Sequence, residues 1–300
     1  MAKKWSGKSR GTVLGYKILI YTFRFFGRYP VYFLLYFIVF YYFLFAIKPG
    51  RITYKYLREI HHFSKLKSIV GVYRSFYALA VSLVDKMVMF SSPKNPFQSS
   101  FDGEENLRTF SQSEKGGFLL NAHVGNWELA GHFLYKYSIT VNVVTLDAER
   151  EQIKQLMESS TQQSEKNQHW KWLPLDESGM EHVFLMKEAL ERKEVICMTA
   201  DRFVDETKTI TKMFLGKPAK FPLGPFQLAA TFRAPMTMSF GFKTSANHYQ
   251  FYGIPPIFPN ESESKTDYMH RMIDYYISQL EVKVRQYPYQ WFNFYGFWEK

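Results

Sequence analysis

The run NAHVGNWEL, residues 121–129, closes an apolar stretch on a histidine and sets a glutamate five positions later, where a helix is expected to start. A general base needs a group that titrates near neutrality and a tautomer held by an acceptor on its second ring nitrogen. His123 and Glu128 meet both needs if the carboxylate, in the first helical turn, reaches back to the imidazole. The other nitrogen is then open to take a proton from a hydroxyl, and a hydroxyl so activated attacks an acyl carbonyl. Backbone N–H groups at Val124 and Gly125 are the expected donors to the oxyanion, and Gly125 permits close approach. The same spacing equally describes a strand-end histidine followed by an ordinary capping glutamate, and spacing alone leaves both readings open. No second histidine lies four residues from His123 and the chain has one cysteine, so no metal site is expected. No serine stands in a nucleophile-elbow setting. Cys197, inside the apolar run VICMTA, is expected to be a buried thiol, and a single cysteine makes no internal disulfide.

Such a pair works only where strands carry it to one edge of a sheet. From residue 117 onward, short apolar runs alternate with amphipathic helical stretches: GFLLNAH and NWELAGHFLYKY, ITVNVVTL and residues 149–166, KWLPL and GMEHVFLMKEALERK, then VICMTA. This order predicts an α/β fold, with a mixed, mostly parallel sheet flanked by helices. Residues 209–222 read as a hairpin-like excursion leading into a helix, PMTMSFGFKT and YQFYGIPPI as strands, and about 266–286 as the last helix. Residues 52–90 read as two helices.

The N-terminal part is of a different character. Residues 31–47 carry no charge, and nine of these 17 are Phe or Tyr. At about 1.5 Å per residue they reach roughly 25 Å, short of a hydrocarbon core of about 30 Å. Aromatic side chains suit the headgroup boundary, and Lys17, Arg24 and Arg28 fall on one helical face upstream. The expected organisation is a membrane-associated helical segment over 1–50, anchoring the chain to an anionic surface, followed by a catalytic domain over 51–300. A cleaved signal peptide is not expected, because the apolar run is followed by basic residues and no small-residue cleavage site.

The chain carries 38 Lys and Arg against 27 Asp and Glu, a net charge of +11, which favours a polyanionic partner. Its basic residues crowd round the apolar segment, with no acid before Glu59. That distribution favours anionic lipid over nucleic acid, for which no recognition motif is present.

Three blocks together resemble the bacterial lipid A biosynthesis late acyltransferases, within the wider glycerolipid acyltransferase group. NAHVGNWEL is similar to that family's His-x4-Asp/Glu block. The stretch from Ala200 to Ala229 resembles its Asp-Arg element followed by Phe-Phe-Gly-x-Pro-Ala-x-x-Pro-x-Gly-Pro, and YPYQWFNFYGFW is similar to its terminal Pro-Glu-Gln-Trp element. The resemblance implies an acyltransferase at the cytoplasmic side of a bacterial inner membrane. Its partners would be an acyl carrier protein or coenzyme A thioester as donor and a lipid hydroxyl as acceptor, with no bound cofactor. It further implies His123 as base and Glu128 as its orienting acid. Asp201 and Arg202 would belong to the active-site wall, with Gly125, Asn126 and Lys217 completing the expected substrate-binding set. Two departures concern the acceptor: Tyr289 replaces the Glu of the terminal element, and FLGKPAKFPLGP lacks the Phe-Pro-Glu-Gly-Thr pattern of transferases that acylate lysophosphatidic acid.

Overall fold

The computed structural model describes residues 13–91, 96–127, 129, 139–145, 170–175, 180–203 and 206–298. Helices α1 (Val13–Phe26), α2 (Arg28–Phe45), α3 (Ile47–Glu59) and α4 (Lys65–Ser91) come first. Gly27, at φ +78, makes the break between α1 and α2 in a backbone region that L side chains rarely enter. The boundary expected near residue 50 falls in the first turn of α3. Within α2, Val31, Tyr32, Leu35 and Val39 recur at the spacing of one helical face and are buried. They pack with Val81, Val84 and Val88 of α4 and, one turn further, with Val72 and Phe76. The opposite face presents Phe33, Phe37, Phe40, Tyr41 and Phe45, each more than half exposed. Among the described residues α2 and α4 are long and apolar enough to cross a membrane.

The central sheet has five strands in the order β4 (Trp170–Pro174), β3 (Val141–Thr145), β5 (Val195–Thr199), β2 (Gly117–Asn121) and β8 (Met236–Thr237), all parallel. Its strands are near-continuous apolar runs because both faces are covered. Phe118 and Leu120 point into the larger core, with Ile196 and Met198, while Leu119 points to the other face with Val195, Cys197, and Leu107 and Phe110 of α5 (Glu104–Ser111). Each such side chain contributes about 1.5–3 kcal/mol on burial. Cys197 is buried, as expected. The larger core is closed by α7 (Gly224–Phe232), α8 (Lys265–Gln286) and the C-terminal aromatics, and α6 (Glu181–Glu191) packs beside β5 and β4.

Beyond the main sheet, β6 (Thr209–Phe214) and β7 (Lys217–Pro222) form the expected antiparallel hairpin. The run read as one strand at 235–244 is divided. β8 completes the parallel sheet, then β9 (Ser239–Ser245) turns into a second sheet, antiparallel to β10 (His248–Gly253), with β1 (Gln98–Asp102) parallel on the far side of β10. A buried ion pair ties this second sheet to the N-terminal helices: Lys243 Nζ lies 2.6 Å from Asp85 of α4, which also accepts from the hydroxyls of Tyr32 and Tyr249. Four groups meet in this cluster, and removing Lys243 or Asp85 leaves the other's charge uncompensated, at a cost of about 3–5 kcal/mol.

Candidate active site

Parallel pairing sets the geometry. β2 and β5 run side by side with Asn121 opposite Thr199, and both strands end there. Two residues beyond each end stand His123 and Asp201, so the two side chains emerge abreast at the carboxyl edge of the sheet, where α/β folds gather their functional groups. Nδ1 of His123 lies 2.8 Å from Oδ1 of Asp201, and the backbone N–H of His123 donates to Oδ2 at 2.9 Å. Asp201 is only 2% exposed, whereas the His123 side chain keeps 24% of its surface. Burial alone would push the Asp201 carboxyl up, but the charge and hydrogen bonds of His123, with the charge of Arg202, outweigh it and hold the carboxyl below its ordinary value. An ionised carboxylate only accepts, so the neutral ring carries its proton on Nδ1 and leaves the Nε2 lone pair available.

The acid on Nδ1 of the imidazole is Asp201, a residue expected in the site wall. Glu128 lies outside the described residues, as do the helix expected at 149–166 and most of the helix expected after Asn126. The signal for Asp201 was present in the sequence: a histidine and an aspartate each sit two residues past an apolar strand. It could be used only once those two strands were known to be neighbours.

The proposed oxyanion donors are corrected. Val124 N–H donates to the carbonyl of Ala122, Gly125 N–H to that of Gln290 and Asn126 N–H to that of Gly241, each at 2.7 Å, so the loop spends its amides inside the fold. The close approach that Gly125 allows is likewise internal. At φ +62, a Cβ there would stand 2.2 Å from the carbonyl oxygen of Gly241. Asn126 is 2% exposed and its Nδ2 donates to the carbonyl of Ser82 on α4. The Arg202 Nη2 donates to the carbonyl of Phe292 at 2.8 Å, with the guanidinium 5.8 Å from the Tyr295 ring. Lys217, on the β6–β7 hairpin, pairs with Glu59 of α3.

The C-terminal aromatics form part of the core: Trp291, Phe292 and Phe297 are buried, and Trp291 and Phe297 pack against Phe214. A cavity of about 320 Å³ opens between α2, α4 and the β9–β10 turn, bordered by Tyr36, Tyr77, Asn126, Lys243 and Gln290, and His123 is not in its lining. No group of three or more His, Cys, Asp or Glu able to hold a metal ion occurs among the described residues.

The parallel α/β sheet sets a histidine–aspartate pair at adjacent strand ends, and among the described residues only one imidazole nitrogen is engaged, the geometry that a general base requires. The family described as "Bacterial lipid A biosynthesis acyltransferase" matches residues 73–300, and the chain belongs to that family. It is 31% identical over 115 residues to the phosphatidylinositol mannoside acyltransferase of Mycobacterium tuberculosis, a match covering 38% of this chain. That match spans about a third, 34%, of the relative's own length. The crystal structure of the 1-acyl-sn-glycerophosphate (LPA) acyltransferase PlsC from Thermotoga maritima aligns over 83% of this chain and 94% of that one, with a TM-score of 0.38 and 12% identity.

Proposed function

We propose that this chain is a membrane-associated O-acyltransferase that moves a fatty acyl group from the thioester of an acyl carrier protein or coenzyme A to a hydroxyl of a lipid acceptor similar to a lipid A precursor. Family membership supports the reaction class. The observation that carries the reading is the 2.8 Å contact between His123 Nδ1 and the buried Asp201 carboxylate, which orients the ring and leaves Nε2 as a base. In the reaction Nε2 takes the proton of the acceptor hydroxyl as its oxygen attacks the thioester carbonyl. The tetrahedral intermediate collapses with cleavage of the C–S bond, and the departing thiolate takes the proton back from the imidazolium, with Asp201 ionised throughout. No acyl-enzyme, metal or bound redox cofactor enters this scheme. Arg202, beside Asp201, is assigned to the substrate wall.

The exposed aromatic face of α2 supports a seat in the membrane interface, with the active site at the cytoplasmic side of a bacterial inner membrane. An in-plane helix fits better than a crossing one. The buried face of α2 is committed to α4, which carries Asp85 and, through it, the second sheet.

The test incubates membranes and labelled acyl thioester with the wild type and with His123→Ala, and identifies the labelled lipid. Transfer is expected to fall by about 10²–10⁴-fold in the variant. Near-normal transfer by folded His123→Ala refutes the base. A labelled lysophospholipid, aminolipid or pigment replaces the assigned acceptor, and absence of thioester consumption by the wild type leaves a membrane-surface binding protein in place of the enzyme.

A further inference from the structure

The terminal segment from Gln290 to Tyr295 has no part in the chemistry above, yet through Phe292 and Tyr295 it touches the backbone of both members of the pair. After α8 the chain turns back across the sheet edge, and Tyr287 stacks on Phe242 of β9 at 3.8 Å between ring centroids. Gln290 then uses its side-chain amide as a strand uses its backbone: Oε1 accepts from Lys243 N–H at 3.0 Å and Nε2 donates to the Lys243 carbonyl at 2.9 Å. So anchored, the segment pairs with the histidine loop. Gly125 N–H donates to the Gln290 carbonyl, Val124 bridges Trp291 in antiparallel fashion, and Phe292 N–H donates to the His123 carbonyl at 2.9 Å. Three residues on, the Tyr295 hydroxyl donates to the Asp201 carbonyl at 3.0 Å. The loop from 123 to 126 is thus held between this segment on one side and β9, through Asn126 N–H and the Gly241 carbonyl, on the other.

We propose that residues 290–295 are a clasp that sets the distance between His123 and Asp201, and that Gln290 is its anchoring, positioning residue. Strand ends alone fix the two backbones only as far as Asn121 and Thr199; the two residues beyond are loop, and the clasp supplies backbone partners on both sides. Gln290 acts through backbone register and touches no reacting atom. The proposal rests on the reading of His123 as the base for its kinetic arm, and on the hydrogen bonds alone for its structural arm.

The experiment compares the full chain with Gln290→Ala, Tyr295→Phe and His123→Ala, measuring kcat and KM for acyl transfer together with hydrogen exchange in peptides covering residues 119–127. A loop displaced by about 1 Å loses about 10²-fold in turnover. Gln290→Ala is expected to lose about 10- to 100-fold in kcat, with KM for the thioester changed less than about threefold, and to exchange faster at residues 123–126. Tyr295→Phe, which deletes one hydroxyl, is expected to shift kcat in the same direction by a smaller factor and reads the clasp even if Gln290→Ala fails to fold. Wild-type kcat in the folded variants, or lowered kcat with unchanged exchange at 123–126, overturns the proposal. If His123→Ala remains active, the base assignment falls, while the exchange of Gln290→Ala still decides the clasp.

Discussion

Replacing Asp201 by Asn tests the carboxylate that accepts from His123. The native carboxylate accepts twice, from the ring Nδ1–H at 2.8 Å and from the His123 backbone N–H at 2.9 Å, in a site only 2% exposed. An amide has one acceptor oxygen and one donor NH₂. With its oxygen kept on the backbone N–H, the NH₂ faces Nδ1 and forces the proton onto Nε2, which removes the base. With its oxygen on Nδ1, the NH₂ confronts the backbone N–H, donor against donor. The first arrangement keeps the fold and inverts the tautomer, an error that costs about 10⁴ in a catalytic triad. At about 1.36 kcal/mol per decade this is roughly 5.5 kcal/mol of transition-state stabilisation. Stability moves far less, by about 1–2 kcal/mol, because the lost charge-assisted hydrogen bond is offset by relief of a buried carboxylate. Single-turnover transfer of labelled acyl chains in mixed micelles, with thermal melting as the fold control, measures both effects. Glu128→Gln is the companion variant. Folded Asp201→Asn with turnover within tenfold of wild type, alongside a Glu128→Gln protein that loses about 10³-fold or more, would return the orienting role to Glu128 and refute the reasoning.

Two further outcomes are expected. Glu194 accepts from Asn142, Lys171 and Arg192; burial pushes its carboxyl up, but these hydrogen bonds outweigh it and hold it at about 2. Its folded value lies below the usual 4.5, so its stabilisation is full above that pH and is lost as pH falls toward 2. Glu194→Gln should lower neutral-pH stability by on the order of 1–2 kcal/mol, discounted for the half-exposed Lys171 and Arg192, and flatten the acid limb of melting curves; an unchanged acid limb sinks the assignment. The double variant Phe37→Glu with Phe40→Glu, on the exposed face of α2, should weaken sedimentation with anionic vesicles by about tenfold or more per residue while leaving the melting temperature within a few degrees, since neither ring is packed inside. Equal vesicle binding would place the membrane contact elsewhere.

Where the sequence was informative, the reason is physical periodicity or local turn chemistry. Runs such as Phe118–Leu120 and Val195–Met198 are apolar on successive residues because both faces of the parallel sheet are buried, so composition alone marks them as strands. The hairpin at 209–222 and the helix at 265–286 announce themselves over windows of a dozen residues or more. His123 was visible because a histidine at a strand end is local. Its partner was not, since Asp201 lies 78 residues away and comes alongside only through the choice of β5, with β3 on its other side, as the neighbour of β2. The nearest carboxylate in sequence, Glu128, is the one that spacing and the resemblance single out, and it lies outside the described residues. The tail was harder still: Gln290 pairs through an amide side chain with a backbone 47 residues upstream, in a stretch with no period at all. Strand order decides which chemical groups meet and irregular segments decide how tightly they are held, and neither leaves a repeating trace in a single chain. Both are cheap for a folded protein, because a strand already buried for its apolar content carries its terminal polar residue to the sheet edge at no added cost in core packing.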